Sequence, residues 1–361
     1  MLLCGRLLYG FGIGTAMHVA PLFIGETAPD NLRGKLVSLK EAAIVLGIVY
    51  GYYTGTIYGA TNDWHGVFKS AVPFEAAMIA GAIVIPESPR WLALRGRPSD
   101  AVNAVRELQG CSEVEATKLV EEMLKFSSSA NDPDDEDSGN VFTKVKEIFD
   151  SQYNRRALFI GVGLVLLQQL SGQPSVLYFA NRIFEDAGFG FEAAVAVGVF
   201  KLIMTLVSSE LVEDERWGRR SLLLLGNTVV TLSLLLLTTV YGLAGADGPN
   251  QIAVISCIIA FVGGYQIGFG PITWLVLSEI FPLRIRSAAV SIGTLVNFGS
   301  NLLVASIFEL ERVSIGENLL FGQFFLVALA SVLFTYINVF ETRGLSLEEI
   351  EDKLKTSIDE E

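Results

Sequence analysis

Long apolar runs, separated by short polar turns, make up most of the chain. Nine of them have about 20 residues, the length that a helix needs to cross a bilayer. Spanning strands would instead give weaker, alternating segments. The pattern therefore predicts an all-α polytopic membrane protein, with spans at 2–25, 37–58, 67–86, 157–180, 191–212, 221–244, 252–278, 288–308 and 317–340.

Composition narrows the function classes. Hydrophobic residues form 51% of the chain, and the net charge of −13 is concentrated in the acidic stretch 131–140 and in the tail. Such acidic runs are typically solvated and flexible, and no basic stripe indicates nucleic-acid binding. Three cysteines and two histidines lack the spacing of a metal site or a disulfide framework. No nucleophilic triad or phosphate-binding loop is present either, so we expect no cofactor, no metal and no enzymatic activity.

The charges of the turns predict the orientation in the membrane. Basic turns at 26–36, 213–221 and 279–287 alternate with acidic turns. Because basic residues concentrate in cytosolic loops, these three turns, the polar segment 88–155 and the C-terminus are predicted to be cytosolic.

Two landmarks recur at nearly the same offset. Glu26 and Glu279 are 253 residues apart and begin similar motifs, and Glu87 and Glu341 are 254 apart. A repeated offset indicates a duplicated unit, and transporters are commonly built from such repeats. The second copy of the repeat has three spans, at 157–244, before the point that matches residue 1. We therefore expect that three N-terminal spans of a twelve-span pattern are missing from this chain.

Several motifs at span boundaries carry a resemblance. They are GRLLYGFGIG at Gly5, ETAPDNLRG at Glu26, PESPRWL at Pro86, QQLSGQPSVLYF at Gln168, ERWGRR at Glu215, GPITWLVLSEIFPLRIR at Gly270 and ETRGLSLEEIE at Glu341. With them the chain resembles the sugar porters of the major facilitator superfamily, in a form similar to plant or algal plastidic or vacuolar hexose and xylose-type members.

The resemblance implies two helix bundles that rock about a central sugar site. It implies a division into the rest of an N-terminal bundle (1–90, spans 4 to 6), an intracellular helical linker with an acidic stretch (91–155), a C-terminal six-helix bundle (156–345, spans 7 to 12) and an acidic cytosolic tail (346–361).

Transport of a monosaccharide, a hexose such as glucose or xylose, is the implied function. Uniport and proton symport both stay open, so the expected partners are a monosaccharide, the lipid bilayer and, for symport, protons. The membrane can be the plastid envelope, the vacuole or the plasma membrane. The alternative function is that of a truncated, non-transporting sugar-binding or regulatory membrane protein.

Amides inside the spans are candidates for the sugar site. Amide groups both donate and accept hydrogen bonds, as hydroxyl recognition requires, and polar groups within spans usually face a cavity. Spacing of four residues places Gln169 and Gln173 on one helix face, and likewise Asn297 and Asn301. The resemblance implies that Gln168, Gln169, Trp274 and Asn297 hold the sugar. The alternative is that the amides join helices to one another.

Three charged residues within predicted spans are considered for function: Arg6, Glu41 and Lys201. The resemblance places Glu41 where the family commonly has a sugar-binding glutamine, so a proton on this carboxylate would couple to sugar binding; alternatively Glu41 is exposed or pairs with Lys40. In proton-coupled members of the family, the arginine that matches Arg6 pairs with an aspartate of the family's first span, one of the three spans expected to be missing here. Without that partner we expect Arg6 to be a buried unpaired charge, which is costly. Lys201 either reaches the interface or pairs with a cavity carboxylate.

The sequence also departs from the family pattern at two positions. Pro174 stands where asparagine is frequent, and Gln266 where glutamate is frequent. The resemblance therefore does not determine the substrate preference, and Gln173 is expected to replace the lost amide. The glycines and proline between Gly263 and Pro271 predict a span that can bend.

Charged residues at the predicted cytosolic ends of spans form two sets. The resemblance implies that they act as ion-pair clamps, which suit a gate because they offer two discrete arrangements. The alternative is ordinary anchoring by surface charges. The first set is Glu26, Arg33 and Glu87, and the second is Glu215, Arg219, Arg220, Glu279, Arg286 and Glu341.

The segment 88–155 is predicted to contain short soluble helices. Ser99 is expected to cap the first one and Gly110 to end it. Ser112 and Glu115 have the spacing of a capping box at the start of the second.

Overall fold

The structure, a computed structural model, describes most of the chain. The described residues are 2–28, 30–59, 61, 63–130, 141–175, 192–214, 216–244, 248–281, 283–343, 345, 349–350 and 353–354. The acidic stretch 131–140, Glu215 and most of the tail lie outside them.

Thirteen α-helices and no β-strand occur within the described ranges, as the apolar runs predict. They are α1 (Leu2–Thr27), α2 (Asp30–Gly59), α3 (Trp64–Val84), α4 (Pro89–Leu94), α5 (Pro98–Gln109), α6 (Glu113–Ala130), α7 (Val141–Asp150), α8 (Gln152–Leu170), α9 (Glu192–Glu213), α10 (Arg219–Gly242), α11 (Gln251–Ile267), α12 (Phe269–Glu279) and α13 (Leu283–Asn338).

Eight stretches in the described residues, not nine, have the length and apolar composition of a membrane span. They are Leu2–Ala20, Trp64–Ala93, Gln152–Ser175, Val195–Val212, Arg219–Gly242, Gln251–Glu279, Ile285–Phe308 and Leu310–Asn338. The predicted span 37–58 lies within α2, which is a continuous helix.

Two compact units divide the chain. The first consists of Met1–Ala43 and Tyr58–Asn140, and the second of Ile44–Ile57 and Val141–Glu361. The four-part division from the sequence remains a prediction.

In the first unit, α4, α5 and α6 enclose a small apolar core that includes Leu92, Ala101 and Val105. The predicted Ser99 cap is wrong: α5 begins at Pro98, because proline is favoured in the first helical turn. Gly110 ends α5 with a φ of 65°, as predicted. The backbone N–H of Glu115 donates to Ser112 Oγ over 3.3 Å, as the predicted capping box requires.

The core of the second unit contains phenylalanines from α11 to α13, and Phe261, Phe269, Phe281 and Phe321 are fully buried. Lipid tails are as apolar as these side chains, so in a membrane their burial stabilises the unit mainly by close van der Waals packing. Close packing therefore depends on where small residues let helices approach.

The closest approach joins α10 to the junction between α11 and α12. A Cβ atom on Gly226 would lie 2.5 Å from the carbonyl oxygen of Gly264 and 2.5 Å from the Cα of Gly268. These are backbone atoms, which cannot rotate away, so only glycine fits at Gly226. The contact holds α10 directly against the α11–α12 junction.

Two further glycines interrupt helices in the second unit. Gly172 follows α8 with a φ of 86°, and Gly316 has a φ of 78° within α13. Both angles lie in the left-handed region that favours glycine. Gly316 interrupts the helical backbone of α13 within the span Leu310–Asn338, and Gly172 changes the direction of the chain shortly after the amides of α8.

Candidate functional site

Two adjacent amides, Gln168 and Gln169, lie buried in the last turn of α8. Gln168 Nε2 donates to the carbonyl oxygen of Phe269, the first residue of α12, over 2.8 Å. Asn301 Nδ2 of α13 donates to Gln169 Oε1 over 3.3 Å. The pair therefore joins three helices. Gln168 Oε1 is buried without a hydrogen-bond partner, which leaves it able to accept a hydrogen bond from a ligand.

The prediction that Gln173 shares a helix face with Gln169 is wrong. The reason is that α8 ends at Leu170 and Gly172 turns the chain by its positive φ. Gln173 instead lines a narrow cavity with Lys201, Phe261, Val262, Tyr265 and Gln266.

Trp274 and Asn297 are both half-buried in the second unit. Trp274 lies in α12 and packs against the core. Asn297 lies one turn before Asn301 on α13. A Cβ on Gly293, one further turn back, would lie 2.7 Å from Leu277 Cδ2, so this glycine brings α13 close to α12. Asn301, rather than Asn297, is the asparagine that hydrogen-bonds to the amide pair.

A buried polar chain connects α9 with α11. Gln266 Nε2 donates to Thr205 Oγ1 over 2.6 Å, and Thr205 Oγ1 donates to the carbonyl oxygen of Lys201 over 2.8 Å. Lys201 is only 7% exposed, so its side chain does not reach the interface. The sequence marked Gln266 only as a departure from the family pattern; its partner Thr205 was missed, because a threonine inside an apolar span carries no distinctive signal.

The two proton-coupling candidates of the first unit have partners of their own. Lys40 Nζ lies 3.9 Å from Glu41 Oε2, as the alternative for Glu41 predicts. Arg6 is exposed, and its Cζ lies 5.5 Å from the centroid of the Phe68 ring. Arg6 is therefore not enclosed by other side chains of the described residues, and because it lies within the span Leu2–Ala20, the expectation of a costly unpaired charge in the membrane stays a prediction. The spans of α1 and α3 have no buried residues in their most apolar windows, so the side chain lies on the surface over an aromatic ring.

At the predicted cytosolic side, the Glu341 carboxylate caps α10. The backbone N–H of Arg219 donates to Glu341 Oε1 over 2.7 Å, and that of Arg220 donates to Oε2 over 3.1 Å. A helix N-terminus has unpaired N–H groups and a partial positive charge, which favour a carboxylate. Gly218 precedes these amides, and a Cβ there would overlap the carboxylate.

Glu279 provides a second link in this cluster. Arg219 Nη2 lies 3.2 Å from Glu279 Oε1, and Thr342 Oγ1 donates to Glu279 Oε2 over 2.6 Å. Arg220 Nη2 donates to the carbonyl oxygen of Tyr336 over 2.7 Å. The ends of α10, α12 and α13 are thereby joined by side chains that the sequence placed in one set.

Other predicted clamp residues have different contacts or lie outside the description. Arg286 donates to the carbonyl oxygen of Phe281 over 3.2 Å. Glu87 pairs with Arg97 over 3.5 Å, and both side chains are about half exposed. The side chains of Glu26 and Arg33, and all of Glu215, lie outside the described residues.

Asp214 and Arg343 complete the cluster, and the sequence did not point to either. Arg343 Nη1 donates to the carbonyl oxygens of Asp214 and Trp217. Arg216 Nη2 donates to Asp214 Oδ2 over 2.7 Å, and the Arg216 backbone N–H to Oδ1 over 3.0 Å. These hydrogen bonds from the side chain and backbone of Arg216 lower the pKa of Asp214 from 3.8 to about 2.

Asp214→Asn is expected to destabilise the protein slightly, in a pH-dependent way. Because the folded-state pKa of Asp214 lies below its ordinary value, the carboxylate stabilises the fold fully above about pH 4, and this contribution disappears as the pH falls towards 2. Melting curves of both proteins between pH 6 and pH 2 would show a difference that is constant above about pH 4 and shrinks below it. A difference that grows as the pH falls would contradict the assignment.

Comparisons with known proteins identify the family of the chain. The sugar (and other) transporter family matches residues 1–354. The D-xylose-proton symporter-like 3, chloroplastic, of Arabidopsis thaliana is 43% identical over 98% of this chain, which spans 64% of that protein. The D-xylose-proton symporter-like 1 of the same plant is 39% identical over 98% of this chain and 71% of its own length.

A solved structure shares the fold. The structure of the major facilitator superfamily proton:xylose symporter XylE, bound to 6-bromo-6-deoxy-D-glucose, superposes with a TM-score of 0.75 at 26% identity, over 97% of this chain and 73% of that one. The predicted major facilitator fold is thus confirmed, and the protein is an integral, multi-pass membrane protein. From its sequence match and its fold, the chain belongs to the sugar (and other) transporter family, a family of carriers rather than enzymes.

Proposed function

We propose that the chain carries a monosaccharide, a hexose or a pentose, across a membrane by alternating access. The observation that carries the proposal is the buried amide pair of α8. Gln168 and Gln169 are 2% and 5% exposed within a span, where polar groups are costly and usually serve a function. A sugar presents many hydroxyl groups and little charge, and neutral amides can both donate to and accept from them.

The arrangement around the pair suits a ligand better than mere helix joining. Gln168 uses its Nε2 on a backbone carbonyl and leaves Oε1 buried and unpartnered. Buried polar atoms are nearly always hydrogen-bonded, so an acceptor of this kind is a natural place for a sugar hydroxyl. The proposed site also includes Gln173, Trp274 and Asn297, together with Asn301, which donates a hydrogen bond to Gln169.

Transport, rather than static binding, is supported by the interruptions around the pair. Gly172 follows the amides directly, and Gly268 separates α11 from α12. Discontinuous spans of this kind are typical of transporter binding sites. The relatives are described as D-xylose-proton symporter-like, so we propose xylose or glucose as substrate and a proton as the coupled ion.

The cytosolic cluster is proposed to be the gate of this cycle. Glu341 and Glu279 hold the ends of three helices together through Arg219 and the first amides of α10. Such ion pairs and caps are either formed or broken, so they favour two discrete states. We propose that they form when the cytosolic side is closed and separate when it opens.

Uptake of labelled sugar into proteoliposomes tests the proposed function. The purified 361-residue chain should take up D-glucose or D-xylose, with L-glucose as the control, and faster with an inward proton gradient. Uptake without any effect of the gradient would remove proton coupling. An absence of uptake would overturn the proposal, and equilibrium sugar binding without uptake would favour the alternative of a non-transporting sugar-binding protein.

Gln169→Ala is expected to weaken sugar binding about tenfold, since it removes about one hydrogen bond to the sugar. The dissociation constant can be measured by titration of tryptophan fluorescence or by calorimetry. The matched control is Gln323→Ala, which removes another span amide, one that donates to Glu311 over 2.7 Å and lies outside the proposed site. Equal affinity of the Gln169 variant and the parent would remove Gln169 from the site.

A further inference from the structure

A fully buried amide in α10 lies beside the junction of α11 and α12. Asn227 is 0% exposed. Its Nδ2 donates to Thr335 Oγ1 of α13 over 3.3 Å, while its Oδ1 is buried without a hydrogen-bond partner. An unpartnered amide oxygen inside a membrane protein is costly, so this oxygen calls for an explanation.

The oxygen faces Gly268. A Cβ built on Gly268 would lie 3.3 Å from Asn227 Oδ1 and 2.9 Å from the Cα of Gly226. The backbone of α10 is thus in contact with the junction, and no side chain separates Asn227 from it. Asn227 is therefore in position to receive a hydrogen bond from the Gly268 region after a small movement.

Few hydrogen bonds hold the junction itself. Gly268 has a φ of −94° and a ψ of −81°, outside the regular helical range. Its N–H donates to the carbonyl oxygen of Gly264 over 3.0 Å, the last bond of α11. Pro271, three residues later, has no N–H to donate. A tilt of α12 that also rotates the Ile267–Gly268 peptide would break the bond to Gly264 and leave the Gly268 N–H without that acceptor.

We propose that Asn227 is a positioning residue for transport, whose Oδ1 accepts the Gly268 N–H when α12 tilts. The inference rests on the proposed transport cycle. Exchanging one acceptor for another lowers the free energy of the tilted state, because a buried N–H is not left unpaired. The carbonyl oxygen of Phe269 accepts a hydrogen bond from Gln168. The same tilt therefore moves the acceptor of Gln168, a residue of the proposed sugar site.

Hydrogen exchange of residues 264–272 in Asn227→Leu tests the inference without any sugar. Leucine has the same branched shape and number of heavy atoms, with bulkier methyl groups, but cannot accept a hydrogen bond. If Asn227 stabilises the tilted state, that state is populated less in the variant, and exchange in this segment slows about tenfold. If Asn227 only stabilises the closed packing, its loss speeds exchange there, and the proposal is overturned. Unchanged exchange would overturn it as well.

Thr335→Val is the matched control, since it removes the partner of Nδ2 and keeps Oδ1. Exchange at 264–272 in this variant should match that of the parent; slowing equal to that of Asn227→Leu would overturn the proposal. Should the leucine variant not fold, Asn227→Ser, whose shorter side chain also withdraws the amide oxygen, must give the same slowing.

Transport gives an independent measurement. In Asn227→Leu the turnover number for uptake should fall about tenfold while the sugar dissociation constant stays the same. An equal loss of affinity and turnover would assign Asn227 to the binding site and overturn the positioning role. If the parent protein neither binds nor transports sugar, the proposed function fails, whereas slowed exchange at 264–272 would still establish the role of Asn227 at the junction.

Discussion

Gly226→Ala is expected to be the most destabilising single-methyl change in the second unit. The added Cβ would lie 2.5 Å from the Gly264 oxygen and the Gly268 Cα, and neither backbone atom can rotate away. Helices α10 and α11 would have to separate. Overpacking typically costs about 1–3 kcal/mol, and the upper end is expected here because the contacts are backbone atoms. The apparent melting temperature in detergent should fall by about 5 °C or more.

Gly299→Ala provides the matched control. Gly299 lies in α13, is exposed, and a Cβ there would have no atom within 4 Å. Alanine favours the helix over glycine by about 1 kcal/mol, so this variant should melt at the parental temperature or slightly above. A Gly226 variant as stable as the Gly299 variant would show that α10 does not contact the junction as described.

The sequence allowed the class of fold to be predicted well, because the signals are local and repeated. Runs of about 20 apolar residues predict spanning helices. In the described residues, eight of the nine predicted spans correspond to helices long and apolar enough to cross a membrane. The ninth predicted span, 37–58, lies within the continuous helix α2. Local chemistry also predicted the end of α5 at Gly110.

Individual contacts in the proposed site were harder to predict. That Gln168 and Gln169 are buried follows from their place in an apolar run. The partner of Gln169, Asn301, is 132 residues away, and such a contact depends on how helices pack. The relation of Gln169 to Gln173 was predicted wrongly, since a sequence does not state whether a glycine such as Gly172 uses its freedom to adopt a positive φ.

The duplicated motifs predicted that Glu87 and Glu341 lie at corresponding positions, but not that their surroundings differ. Glu87 forms an exposed pair with Arg97. Glu341 instead accepts two backbone hydrogen bonds from α10. The hydrogen bonds of Glu341 form only while the start of α10 stays next to its carboxylate. Glu87 has no such contact in the described residues, so the two glutamates form a matched pair for experiment.

Glu341→Ala is expected to destabilise the cytosolic end of the second unit by about 2 kcal/mol, since hydrogen bonds to a charged group contribute about 1.5–3 kcal/mol. The change leaves the first amides of α10 without their acceptor and removes a carboxylate from the positive end of the helix. Hydrogen exchange at residues 219–222 should become at least tenfold faster. In the proposed cycle, sugar uptake should also fall, because the closed cytosolic state loses one of its links.

Glu87→Ala is the control, because an exposed ion pair contributes only about 0–1 kcal/mol. Its exchange and uptake should stay close to those of the parent. Glu341→Gln should lie between the parent and the alanine variant, as a neutral amide keeps one acceptor oxygen but not the charge. If both alanine variants change exchange at 219–222 equally, or neither does, the cap on α10 contributes nothing specific, and the cluster reduces to ordinary surface charge at the membrane boundary.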